Sequence, residues 1–159
     1  MLSKLVPKVL VAISVSAVLF SATVVFRNEV RDVMLASDLW GAIDKGDTRK
    51  VQALIQRGAN PNRIGAGGLA GGTPLTRATE RSDTAIMKLL VQNGADVNKS
   101  FGAGWTALMF AETPEVARCL LRLGADPNLK NHNKQTALQM AKEYERPTVA
   151  AVLKPVTRP

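Results

Sequence analysis

Cysteine and histidine each occur once among the 159 residues, as Cys119 and His132, and aromatic side chains make up only 4%. A single cysteine excludes an intramolecular disulfide, so the fold must hold by packing alone. A single histidine excludes a multi-histidine metal site within one chain. With aromatics this scarce, a hydrophobic share of 46% leaves Leu, Val, Ile, Ala and Met to build the core. That palette suits packed helices better than an aromatic-rich β-sandwich. Five glycines fall between Arg63 and Gly72, but no Gly-Lys-Ser/Thr ending follows them. The stretch therefore reads as a lengthened hairpin loop rather than a phosphate cradle. Cys119 sits in an apolar helical stretch, far from the one histidine that could act as its base, and reads as a small core residue. No nucleophile–base pair, metal cluster or cofactor loop survives these exclusions. The expectation is a chain that is not an enzyme, with no cofactor, no bound metal and no small-molecule substrate.

The formal net charge is +8; with Lys4 and Lys8 set aside, 19 basic and 13 acidic residues leave +6 for the rest. Such a surplus suits an acidic partner or an anionic lipid surface. Basic residues alternate with Asp and Glu and form no basic arm, which argues against nucleic acid. Lys4 and Lys8 precede Val9–Phe26, a stretch of 18 residues without a charge. As a helix at ~1.5 Å per residue it is about 27 Å long, near the thickness of a bilayer's hydrocarbon core. The positive flank lies on the amino side, which predicts a cytoplasmic N-terminus and everything after Phe26 across the membrane. The length favours an uncleaved anchor over residues 1–26. A cleaved signal peptide, leaving a secreted or periplasmic protein, remains the alternative, although Val15-Ser16-Ala17 and Ser21-Ala22-Thr23 are poor cleavage sites.

The remainder repeats itself. Gly58-Ala59-Asn60-Pro61-Asn62, Gly94-Ala95-Asp96-Val97-Asn98 and Gly124-Ala125-Asp126-Pro127-Asn128 are three copies of one element. Each follows an apolar stretch with helical spacing: Val51, Leu54 and Ile55; Ile86, Leu89 and Leu90; Val116, Leu120 and Leu121. A second element, Thr73-Pro74-Leu75, Thr106-Ala107-Leu108 and Thr136-Ala137-Leu138, interleaves with the first, and Ala78, Ala111 or Ala141 follows at a constant offset. Thr can cap a helix start, Pro fits the first helical turn, and Gly just past a helix suits a left-handed C-terminal position. The unit predicted is helix, turn, helix and a projecting loop. Thr73 to Thr106 spans 33 residues but Thr106 to Thr136 only 30. Two edits to a 33-residue unit account for the spacings: three residues added between Asn62 and Thr73, and three missing between Ala111 and Val116. The missing residues read as a shortened inter-helix turn at Glu112-Thr113-Pro114-Glu115.

This unit resembles the ankyrin repeat. Thr73–Asn98 is similar to the family's TPLHxAA…VxxLLxxGADVN pattern, with Thr76 at the usual His position and Met109 and Gln139 there in the next two copies. The resemblance implies an all-α solenoid of about four repeats, at roughly 37–62, 72–98, 105–128 and 135–153, within a domain over 36–155 after a linker at 27–35. Its outer repeats would act as caps. Loss of the His implies a weaker tie between neighbours. The resemblance further implies a non-catalytic scaffold that binds a protein partner through its concave face and hairpin loops. Asp44, Lys45, Glu80, Arg81 and Tyr144 are then expected on the concave face, and Arg63, Leu69, Phe101, Trp105, His132, Asn133 and Gln135 on the loops. Trp105 reads equally as an interface anchor or as a ring packed on Phe101. The sequon Asn98-Lys99-Ser100 is discounted because Asn98 belongs to the repeat's own turn. A structural or sensing module adsorbed on an anionic membrane through its basic repeats is the alternative function.

Overall fold

In a computed structural model, residues 29–65 and 71–157 are described. The anchor or signal over 1–26 and Leu69 lie outside the described residues. Two compact units are separated, Met1–Met34 and Leu35–Pro159. A helix over residues 29–44 (α1) opens the described chain, and its residues from Leu35 onward belong to the second unit. The helices that follow are α2 (Thr48–Gln56), α3 (Pro74–Glu80), α4 (Thr84–Gln92), a 3-10 turn η1 (Ala107–Phe110), α5 (Pro114–Arg122), α6 (Ala137–Glu143) and α7 (Pro147–Leu153). No strand occurs among the described residues, and one isolated antiparallel bridge joins Phe101 to Trp105. The all-α repeat expected from the sequence is what forms.

Each helix starts and stops for a local reason. Thr73 and Thr113 accept hydrogen bonds from the amides of Thr76 and Val116, each with proline in the first helical turn. Asp47 and Asp83 do the same for α2 and α4. Thr136 and Gln139 complete a reciprocal capping box on α6. Each such cap satisfies amides that have no partner inside the helix. After α2, α4 and α5 the chain turns at Gly58, Gly94 and Gly124, with φ of +97°, +90° and +97°. A Cβ would be strained there, which is why these positions read as helix stops.

The helices stack in two layers. The second helices of successive pairs contact one another, α2 on α4, α4 on α5 and α5 on α7, and η1 lies between α3 and α6 in the other layer. Between the layers lies one core. Leu39, Ala42 and Ile43, then Leu75 and Ala78, then Leu108 and Ala111, then Met140 and Ala141 face Val51 and Leu54, Ile86 and Leu90, Val116 and Leu120, and Val149 and Leu153, all buried. Ala42, Ala78, Ala111 and Ala141 share one register, where only a small side chain lets a neighbouring helix approach. Cys119 is part of this core.

The three-residue deletion shortens a helix, not the inter-helix turn between Ala111 and Val116 expected from the sequence. The links between paired helices are equally long in repeats two and three, residues 81–83 and 111–113. The loss falls in the first helix instead, which shrinks from the seven residues of α3 to the four of η1. Thr106 makes no side-chain cap on this short turn. Chain following the helix at constant link length keeps α5 in register with α4, so the shortening is absorbed where a helix can end early.

Thr76 and Gln139 serve within their own repeats rather than between them. The Thr76 hydroxyl lies 3.0 Å from that of Thr73, and Gln139 belongs to the α6 capping box. Neighbouring repeats are tied instead by asparagines. The Asn62 amide donates to the Gly94 carbonyl at 2.7 Å and its oxygen accepts from the Asp96 amide at 2.7 Å. Asn98 repeats both bonds to Gly124 and Asp126, at 3.2 and 2.8 Å. The Asn98 side-chain nitrogen is thus already engaged in the fold, in keeping with discounting its sequon.

Candidate interaction surface

The first-helix layer ends in a row of exposed turns. Lys45 follows α1, and Arg81 and Tyr144 stand at the C-terminal caps of α3 and α6. All three are exposed, Tyr144 at 55%. One residue earlier in each repeat stand Asp44, Glu80 and Glu143. Repeat three has no counterpart at either position, because the deletion removed the helical turn that would carry them. The row is therefore interrupted between Arg81 and Tyr144.

Two arginines that the sequence reading did not single out organise this face. Arg77 donates to Asp44 at 2.6 Å and to Glu80 at 3.0 Å. Those bonds, the one to Asp44 foremost, raise its pKa above the ordinary arginine value. Asp44 and Glu80 thus belong to a bridge between repeats one and two, beside exposed Lys45 and Arg81. The 33-residue separation of Arg77 from Asp44 is one repeat length, the signal from which this pair was legible.

Arg146 is the second. It occupies the N-terminal cap position of α7, where the other repeats carry Asp47, Asp83 or Thr113, and makes no cap bond. Its guanidinium instead donates to the carbonyl of Ala111 at 3.3 Å, lies 3.8 Å from Glu112, and sits 5.5 Å from the Tyr144 ring centroid. It thereby reaches the carbonyl at which the truncated η1 ends, a group left without a helical successor. An arginine at a capping register is itself the anomaly that marks the position in the sequence. Replacing Arg146 by Ala should destabilise the array by about 1–3 kcal/mol, since Ala111 is buried and its carbonyl would lose a donor. Urea unfolding measures this, and a Lys replacement should recover only part of the loss because one ammonium cannot reproduce the planar fork.

The hairpin loops divide the remaining expectations. Phe101 is a correction: it is buried, stacked on Phe110 with ring centroids 5.7 Å apart, and bridged to Trp105. Its ring serves the fold, covering Phe110 of η1 together with Trp105. Trp105 is half-buried, edge-on to Phe110 at 5.9 Å, so it packs while presenting one side. Arg63 is exposed beside exposed Ile64, and the Gly65 amide closes the loop base on the Gly72 carbonyl at 3.1 Å. Trp40 lies against Gly65, where a Cβ would come within 2.8 Å of its ring. His132 and Asn133 are exposed, and the His132 amide ties its loop to Ala103 at 2.8 Å. Gln135 is half-buried between Asn131 and Glu143.

No group of three or more His, Cys, Asp or Glu side chains converges among the described residues. Nor is any helix among them long and apolar enough to cross a membrane. The paired helices, left-handed glycine stops and projecting hairpins define a helical repeat scaffold. The family description "Ankyrin repeats (3 copies)" matches residues 39–131, and the chain belongs to the ankyrin-repeat family. No curated protein matches the chain. The helix pair α6–α7 follows the matched stretch and continues its two layers. Ankyrin repeats generally mediate protein–protein interaction and are typically non-catalytic.

Proposed function

We propose that this chain is a non-catalytic scaffold that holds a protein partner on its first-helix face and hairpin loops, beyond a membrane to which its N-terminal segment tethers it. The observation that carries the reading is the row Lys45, Arg81 and Tyr144, exposed at one register of repeats one, two and four. Aromatic and arginine side chains at the rim of a concave face are the residue types that dominate partner binding. Arg63, Trp105, His132 and Asn133 extend this surface along the loops. Tethering rests on the sequence: the 18 uncharged residues Val9–Phe26 behind Lys4 and Lys8 would place the array on the non-cytoplasmic side, bacterial periplasm being the setting favoured.

The test is a photo-crosslinking amino acid introduced in the native membrane at Arg81, at Tyr144, or at Gln92 on the opposite layer. The same crosslinked protein is expected from the two former positions and not from Gln92. Crosslinks from Gln92 alone, or none from Arg81 and Tyr144, would remove the proposed face. Peptide mapping of the adduct also shows whether Val9–Phe26 is retained.

A further inference from the structure

We infer that the layer of second helices is a separate docking face for the anionic headgroups of phospholipid. The helical segments of the two layers differ in charge. Within α2, α4, α5 and α7 there are five basic residues, Arg49, Lys50, Lys88, Arg118 and Arg122, against one acidic residue, Glu115. Within residues 35–44, α3, η1 and α6 the balance reverses, two basic (Arg77, Lys142) against four acidic (Asp38, Asp44, Glu80, Glu143). The +6 surplus after the leader is therefore not spread evenly over the array.

All five basic side chains of the second-helix layer are exposed, and packing accounts for their placement. Lys88 lies opposite buried Ile86, Met87 and Leu90, and Arg118 and Arg122 lie opposite buried Val116, Cys119 and Leu120. Since α4 stacks on α5, Lys88, Arg118 and Arg122 point from adjoining helices to one side. Among the described residues, the one ion pair these three side chains make is the loose Arg118–Glu115 contact at 3.6 Å. Beside Arg118, an open groove between α5 and α7 is lined by Pro114, Ala151, Val152 and Pro155. A basic face next to a shallow apolar groove complements a headgroup layer, in which phosphate meets the cations and glycerol carbons meet the groove. Nucleic acid is the less favoured occupant: the chain's aromatic residues lie outside α2, α4, α5 and α7, so these helices offer no stacking platform.

The inference stands apart from the proposed partner face, which lies on the other layer. It is tested with the full chain in vesicles carrying a headgroup nitroxide, by quenching of a fluorophore placed at Gln92→Cys or at Tyr144→Cys. Quenching is expected at position 92 but not 144, in vesicles containing phosphatidylglycerol but not in phosphatidylcholine alone, and it should fall at high salt. The variant K88Q/R118Q/R122Q should weaken this surface association about a hundredfold, roughly fivefold per charge. Unchanged circular dichroism would show that it folds, and R49Q/K50Q offers a second neutralisation on another repeat. Equal quenching at both positions, persistence in neutral lipid, or indifference to both variants would overturn the inference. So would binding of duplex DNA or RNA that the same substitutions abolish without affecting lipid. Loss of the Tyr144 crosslink leaves this result untouched, so the two readings fail separately.

Discussion

Leu120→Ala is expected to cost the array about 2–5 kcal/mol, a large part of the stability such a domain possesses. Leu120 is fully buried at the centre of α5, among residues contributed by α4, η1 and α7. Removal of its branched end leaves a void that these helices cannot close without breaking their own contacts. Repeat three is also the most exposed to such a loss, because its first helix is only the four-residue η1. In a stack where each repeat contacts only its neighbours, weakening one interface can uncouple the ends. The two tryptophans make this visible: Trp40 reports on repeat one and Trp105 on the hairpin of repeat three. In the parent chain both should follow a single transition. In L120A, read in W40F and W105F backgrounds, the Trp105 signal should move to lower denaturant first. A coincident shift of both probes would mean that the four pairs unfold as one unit, and a loss below about 1 kcal/mol would mean that the site collapses around the smaller side chain.

The double substitution N62A/N98A should cost about 2–4 kcal/mol, although both residues sit near the surface. Each asparagine exchanges two hydrogen bonds with the following repeat, four in all. At about 0.5–1.5 kcal/mol each, with partial recovery from water at a half-exposed site, the sum stays below the gross total. These bonds lie between repeats, so the loss should appear as reduced coupling rather than as helix melting. Replacing Asn98 by Asp separates the terms. Its carboxylate still accepts from the Asp126 amide but faces the Gly124 carbonyl without a donor. N98D should therefore be at least as damaging as N98A. If N98D is neutral, the bond to Gly124 contributes nothing, and the loops are held by their backbone turns alone.

Most of the scaffold is legible in the sequence. Thr73-Pro74, Gly58, Gly94 and Gly124 act within a few residues of themselves, through caps and left-handed turns, and local chemistry of that kind is written in local sequence. The apolar spacing along α2, α4 and α5 likewise identified which side of each helix turns inward, as did the small Ala register. Charge counts identified a basic surplus but not its location.

Only tertiary structure decided what depends on where one repeat meets the next. Asn62 and Asn98 read as turn residues, yet their amides work on carbonyls 32 and 26 residues away. Phe101 read as a loop-tip contact and is buried, stacked on Phe110 of η1. Arg146 stands out in the sequence only as an arginine at a capping register, and it closes the end of that shortened helix from the neighbouring repeat. The sequence alone determined the repeat, its punctuation and its inward-facing residues, since each follows from periodicity and backbone preference over one or two turns. Stacking decided the tie between loops, the place of the deletion and the separation of charge between layers, because these arise from distances across the stack that no local pattern encodes.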